Sequence, residues 1–217
     1  MSVNIVVGLG NSEPRYALTR HNAGAIVLEN LAKSCGVDSM RFDKYANAYI
    51  GRGALCGREL TFVFAEGYMN ESGVSLAKTL KYLKADISQV AVIYDDITLE
   101  AGRMKLSRGG SSGGHNGVAD IMAHCGNTFA RVRIGVGGKA DKRMDLADHV
   151  LGKLPESDLA AIKSLPVADC FKLLVSKGLD AAQNVVNRKS APAGQRPLGR
   201  CGKHGGEQRK NLNKHQI

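Results

Sequence analysis

Ile5-Val6-Val7-Gly8-Leu9-Gly10-Asn11, followed by Thr19-Arg20-His21-Asn22, is the stretch that fixes the architecture. With Val3 before them, Ile5 to Val7 are β-branched and predict a buried strand. Gly8 and Gly10 predict a tight turn where a side chain would clash. Asn11 then falls just past the strand's carboxyl end, the edge at which open α/β sheets bind ligands. In this stretch, His21 is the residue able to move a proton near neutral pH. The Gly8-x-Gly10 pair is not a dinucleotide fingerprint: Glu13 replaces the third glycine, and Pro14 sits where the helix should begin.

Outward from this stretch, the pattern alternates strands with helices. Residues 22 to 34 predict a helix with Asn22 as N-cap. Ala48 to Ile50 and Leu60 to Ala65 predict strands joined by a hairpin turn at Gly57-Arg58-Glu59. A helix burying Leu76, Leu80 and Leu83 follows, then an apolar strand from Val90 to Tyr94 ending in Asp95-Asp96. Met104 to Leu106 predicts a short strand. The loop Gly109 to Gly114 feeds a helix from about Asn116 to His124; it is no P-loop, because His115 stands where that motif needs lysine. Arg131 to Val136 alternates like a half-buried strand. Helices over about 156 to 177, kinked or divided at Pro166, and 179 to 187 close the domain. The expectation is a single α/β domain with a twisted mixed, mostly parallel sheet flanked by helices.

The 217 residues are 43% hydrophobic, enough for one sizeable core over residues 1–187 with a tail over 188–217. The net charge is +10, and from Arg188 onward eight Lys or Arg face one acid, Glu207. That segment therefore carries +7 and leaves +3 for the rest. It is expected to be disordered, and its charge points either to a polyanion partner such as nucleic acid or to a solvated tail. Five scattered cysteines without a C-x-x-C pair argue against a disulfide scaffold or zinc site and for a reducing compartment. No signal-peptide pattern or long apolar span is present, so neither secretion nor membrane insertion is expected.

Asn11, Asn70 and Asp95 each follow a predicted strand, and Asn116 opens a helix. If the strands are parallel, all four converge with His21 on one rim. A histidine beside a carboxylate is a general-base arrangement, and amide side chains can donate to an oxygen that becomes negative. No nucleophile motif and no metal-ligand spacing is present. The set suits direct attack of water on a carbonyl without a covalent intermediate. His115 is read as supporting a turn, and His124 and His149 as structural.

These motifs closely resemble those of bacterial peptidyl-tRNA hydrolases. The similarity is carried by Gly8-Leu9-Gly10-Asn11, Tyr16, Thr19 to Gly24, Tyr68 to Gly73, the Asp95 strand end, Gly113 to Gly117 and Arg131 to Gly137. They stand in the family's order across about residues 3 to 187. The resemblance implies hydrolysis of the ester bond of peptidyl-tRNA left by aborted translation, freeing peptide and tRNA. It implies His21 as base and Asp95 as its partner. Asn11, Asn70 and Asn116 would position peptide, water and ester, with Tyr16 and Tyr68 lining the site. Lys105 and Arg133 would contact acceptor-stem phosphates. No cofactor or metal is implied, and a cytoplasmic monomer is expected. The sequence departs from the family at Ser107, where a second lysine is common, at Ser12-Glu13-Pro14, and at Asp96, where glutamate is common. Relatives that bind RNA to assist intron splicing are an alternative of another class. An unrelated esterase acting on small substrates is a second, which the basic surface opposes.

Overall fold

A computed structural model describes residues 3–139, 141 and 143–189. Its centre is β1 (Ile5–Gly8), every residue of which is buried. This is what a parallel strand covered on both faces requires. β1 pairs in parallel with β4 (Arg58–Ala65) on one side and β5 (Val90–Asp96) on the other. β5 pairs in parallel with β7 (Ala130–Gly135). Antiparallel strands complete the edges: β2 (Arg41–Asp43) and β3 (Ala48–Leu55) beyond β4, and β6 (Met104–Arg108) beyond β7. The order is β2-β3-β4-β1-β5-β7-β6, a seven-stranded mixed sheet with a parallel centre.

Side-chain alternation divides the core in two. Val6, Ala91 and Ile93 face a layer containing α1 (Ala23–Ser34), α5 (Glu156–Lys163), α6 (Val167–Lys177) and α7 (Leu179–Lys189). Ile5, Val7, Val90 and Val92 face α2 (Ser72–Leu83) and α3 (Asn116–Cys125). Pro166 does separate α5 from α6, since its ring cannot continue a helix. At the β6 edge, Asn187 of α7 donates to Leu106 O and accepts from Leu106 N, at 3.0 and 2.9 Å. That pairing covers part of an edge strand that would otherwise be open.

Several local expectations need correction. The hairpin turn is Cys56-Gly57, with φ of +53° and +73°, and Leu55 pairs Arg58 directly. Two left-handed residues make the turn whose twist suits a two-residue hairpin, so Arg58 and Glu59 belong to the strand. Asn22 stands at the start of α1, but its side chain makes no capping bond. The three-residue β2 and the six-residue α4 (Leu146–Leu151) were not predicted, being too short to show a period. The last helix includes Arg188 and Lys189, and the rest of the basic segment lies outside the described residues.

Gly8 does not have a positive φ, so its role is not a strained turn. A Cβ on Gly8 would lie 2.6 Å from Leu28 Cβ, and one on Gly24 would lie 2.3 Å from Ile93 O. The two glycines let the first turn of α1 lie against β1 and β5. Gly24→Ala should therefore lower the unfolding free energy by about 2–3 kcal/mol, as overpacking does. A urea midpoint equal to wild type would mean that α1 can shift away from the sheet without loss.

Candidate functional site

The parallel strands β1, β4 and β5 end on one rim, and the polar residues gather there. Asp95, the penultimate residue of β5, is 4% exposed. His21 reaches it from the 3-10 turn Arg20–Asn22 that leads into α1. His115 reaches it from the N-terminus of α3, on the opposite face of the sheet. His21 Nδ1 and His115 Nε2 each lie 2.9 Å from the same oxygen, Asp95 Oδ1. The two imidazoles are 4.8 Å apart, and the Tyr94 ring packs against His115 in a T-shaped pair at 5.1 Å.

The hydrogen-bond partners decide where the ring protons sit. A carboxylate only accepts, so His21 Nδ1–H donates to Asp95 and its Nε2 keeps a lone pair when the ring is neutral. His115 Nδ1 accepts the Val118 N–H at 3.3 Å, so its proton is on Nε2 and also points at Asp95. Burial pushes the Asp95 carboxyl up, but the electrostatic pull and hydrogen bond of the His115 ring, and then those of the His21 ring, outweigh it. The net effect holds Asp95 well below the ordinary carboxylate range.

His115 is thus the residue that the sequence reading undervalued. His21 is not the sole imidazole on the site, because His115 does more than support a turn. Its position before a helix, after a glycine loop, was the available signal; the loop hides which strand end the helix start will meet. The three groups place their ligand-type atoms within 4.8 Å of one another. A cation on His115 Nε2 would force the proton to Nδ1, against the Val118 N–H that Nδ1 now accepts.

Asn11 is held beside this group by a reciprocal pair with Asn22. Asn11 N donates to Asn22 Oδ1 and Asn22 Nδ2 donates to Asn11 O, both at 2.9 Å. Met69 N donates to Asn11 Oδ1 at 2.8 Å, and among the described residues the Asn11 Nδ2 has no acceptor. Asn70, the next residue, is exposed. The bond from Met69 N ties Asn11, past the end of β1, to the turn after β4 that carries Asn70. Tyr16 and Tyr68 stand farther out: Arg15 lies over the Tyr16 ring, and Glu13 binds both Arg15 and the Tyr68 hydroxyl.

On the other side of His21 opens a cavity of about 590 Å³, lined by His21, Asp95, His115, Asn116, the loop 109–114, Arg131, Arg133 and α4. Asn11, Asn70, Tyr16, Tyr68 and Lys105 do not line it. Lys105 lies directly across from Arg133 in the β6–β7 register. Arg133 is not a free cation: its Nε and Nη2 both bind Asp96 Oδ2, and Thr98 holds Asp96 Oδ1 through its N–H and hydroxyl. His149 also has a partner, the Gly137 carbonyl at 3.0 Å. His124 pairs with Asp120 of its own helix.

A family model described as peptidyl-tRNA hydrolase matches residues 5–193. A protein named peptidyl-tRNA hydrolase from Lachnospira eligens is 38% identical over 186 residues, which cover 84% of this chain and 98% of that one. One of the same name from Geobacter metallireducens is 38% identical over 87% of this chain and 97% of its own. A crystal structure of peptidyl-tRNA hydrolase from Acinetobacter baumannii superposes with a TM-score of 0.79 at 34% identity, covering 85% of this chain and 94% of that one.

The depressed Asp95 carboxyl has a consequence for acid stability. As pH falls below its ordinary value of 3.8, the unfolded chain takes up this proton before the folded one does. The stability that Asp95 contributes is therefore full above about pH 4 and is lost as pH falls through the window below it. Asp95→Asn should make the unfolding free energy less dependent on pH between about 4 and 2. Equal slopes for the two proteins, by urea unfolding across that range, would mean that the rings do not hold the carboxylate.

Proposed function

The chain belongs to the peptidyl-tRNA hydrolase family and is an enzyme of that class; we propose that it cleaves the ester of peptidyl-tRNA by direct attack of a water that His21 deprotonates. The observation that carries this reading is the shared oxygen Asp95 Oδ1. It fixes His21 in the tautomer whose Nε2 can accept a proton, and it stabilises the imidazolium that results. Water attacks the ester carbonyl as its proton passes to Nε2. The tetrahedral oxyanion then collapses as the His21 imidazolium returns that proton to the ribose oxygen, which leaves as an alcohol while the peptide leaves as the acid.

Among the described residues, no serine, threonine or cysteine side chain is hydrogen-bonded to either imidazole. This supports water as the nucleophile rather than a protein hydroxyl or thiol. Burial pushes the thiols of Cys125 and Cys170 up to about 11 and about 12, far from a reactive state.

The amides of Asn11, Asn70 and Asn116 would donate to the ester carbonyl and peptide, where neutral donors stabilise developing charge without holding a proton of their own. Tyr16, near the tRNA end, and Tyr68 would line the substrate site. Lys105 and the Arg133 edge turned away from Asp96 would contact acceptor-end phosphates, and the Arg188 to Lys214 charges would add general attraction to RNA. No helix among the described residues is long and apolar enough to cross a membrane. A monomer acting in the cytoplasm, where translation supplies the substrate, is part of the proposal.

His21→Ala should lower kcat by about 10²- to 10⁴-fold, the range for loss of a general base, with little change in tRNA affinity. The assay is release of tRNA from N-blocked aminoacyl-tRNA, and a kcat within threefold of wild type would remove His21 from the chemistry.

Truncation after Lys189 tests the division between positioning and attraction. Removing the basic segment should weaken tRNA binding and make it less salt-dependent, since fewer counterions are released. The kcat should stay near wild type. A folded truncated protein with lost kcat would show that the segment belongs to the catalytic apparatus.

A further inference from the structure

Arg131 is a buried cation that the proposed reaction leaves unused. It is 3% exposed on β7, and among the described residues no carboxylate pairs with it. Its guanidinium donates to Ser111 O at 2.6 Å, to Gly110 O at 3.1 Å and to Asn127 Oδ1. Its Nε is buried without a partner. A buried charge satisfied only by neutral acceptors is costly, and the field it creates is little screened. Arg131 nevertheless lines the cavity beside the two histidines.

The loop above it is oriented by these bonds. No peptide among the described residues is cis, so each N–H points opposite to the C=O of its own peptide unit. Arg131 draws the Gly110 and Ser111 carbonyls toward itself. The N–H groups of Ser111 and Ser112, which share those peptide planes, therefore point away from it. Neither N–H has a backbone or side-chain acceptor among the described residues. Gly109, Gly110, Gly113 and Gly114 all have φ between +61° and +85°, while a Cβ at any of them would meet nothing within 4 Å. Their glycine character thus serves backbone shape rather than packing, and successive N–H groups in such a bend form an anion-binding concavity. The ten-residue helix α3 begins directly after the loop, and its positive end faces the same cavity. Of the cavity's carboxylates, Asp95 is held by two histidines and Asp96 by Arg133 and Thr98. Asp145 caps α4 through Ala147 N.

We propose that the Ser111 and Ser112 amides, backed by the buried charge of Arg131, form an oxyanion site that takes a phosphodiester of the substrate's RNA end. The phosphodiester source rests on the function proposed above; the anion site itself does not. It is distinct from the Lys105 and Arg133 contact, which lies on the strands. Arg131 is a positioning residue here, acting through the loop amides.

The test has a binding arm and a kinetic arm. Inorganic phosphate titrated into the 15N-labelled full chain should shift the Ser111 and Ser112 amide resonances, and should still do so in K105A/R133A. Ser112→Pro removes one N–H from the exposed loop and should abolish the shift at Ser111. Arg131→Gln should weaken phosphate binding by about tenfold; should this variant not fold, Ser112→Pro still decides. In the kinetic arm, Ser112→Pro should raise KM for N-blocked aminoacyl-tRNA by about tenfold with kcat within threefold of wild type. No phosphate-induced shift, or a shift that vanishes in K105A/R133A, would overturn the site. A shift with unchanged KM in Ser112→Pro would overturn the RNA assignment and leave a site for free phosphate. Phosphate shifts in a chain without hydrolase activity would uphold the anion site and overturn the reaction instead.

Discussion

A single buried carboxylate oxygen ties the two faces of this molecule together. Asp95 Oδ1 receives His21 from the turn before α1 and His115 from the start of α3, and these helices pack on opposite sides of the sheet. A carboxylate 4% exposed would be expensive to bury alone. With two imidazole donors it is satisfied, and the pairing fixes where both helix starts must lie. The glycines follow from this demand. Gly24 lets α1 touch the β1 and β5 backbones, and Gly117 lets α3 approach Met69, where a Cβ would lie 2.6 Å from the sulfur. Close packing of these two helices on the sheet is thus a condition of the site.

The two arginines of β7 show how neighbouring positions on one strand acquire different electrostatic roles. Arg133 meets Asp96 on the adjacent strand, so its charge is largely balanced and one edge of the fork is fixed. Arg131, two residues away and on the same face, meets no carboxylate among the described residues, but carbonyls, an amide, the Met122 sulfur and the face of Phe129. One residue is thereby a directed donor, and the other an uncompensated field source beneath a loop. Sequence alternation alone reads both as exposed cations on a half-buried strand.

Much of the architecture was legible because the central strands are long apolar runs with strong punctuation. Ile5 to Gly8 and Val90 to Asp96 lie where their β-branched residues put them, and the polar residues at their ends mark the rim. Short elements were not legible: Arg41–Asp43 and Leu146–Leu151 span too little chain for a period to show. At the rim, residue type pointed to His21 beside Asp95, which do pair, but not to the partners that hold Asn11 and His115. Asn22 looks like a cap and instead braces Asn11, while His115 looks like loop furniture and instead shares the carboxylate. Both surprises arise from long-range pairings, which local propensity cannot encode. Arg133 was recognisable as a cation, but its partner Asp96 lies 37 residues earlier in the chain and meets it through strand pairing.

Sharing one oxygen has a further consequence for the proposed chemistry. When His21 takes a proton from water, its ring becomes charged and its bond to Asp95 Oδ1 strengthens. The same oxygen then has less electron density to offer His115, so the two bonds are coupled through one atom. His115 cannot respond by turning its ring, because its Nδ1 is engaged by the Val118 N–H and the Tyr94 ring packs against it in a T-shaped pair. Its Nε2–H therefore stays aimed at Asp95, and the carboxylate keeps its orientation through the proton transfer. That constancy limits reorganisation in the reacting group, which is the condition under which a preorganised polar site lowers a barrier. In the proposed reaction His115 would act on the ester through the geometry of Asp95 and His21, without touching the reacting atoms.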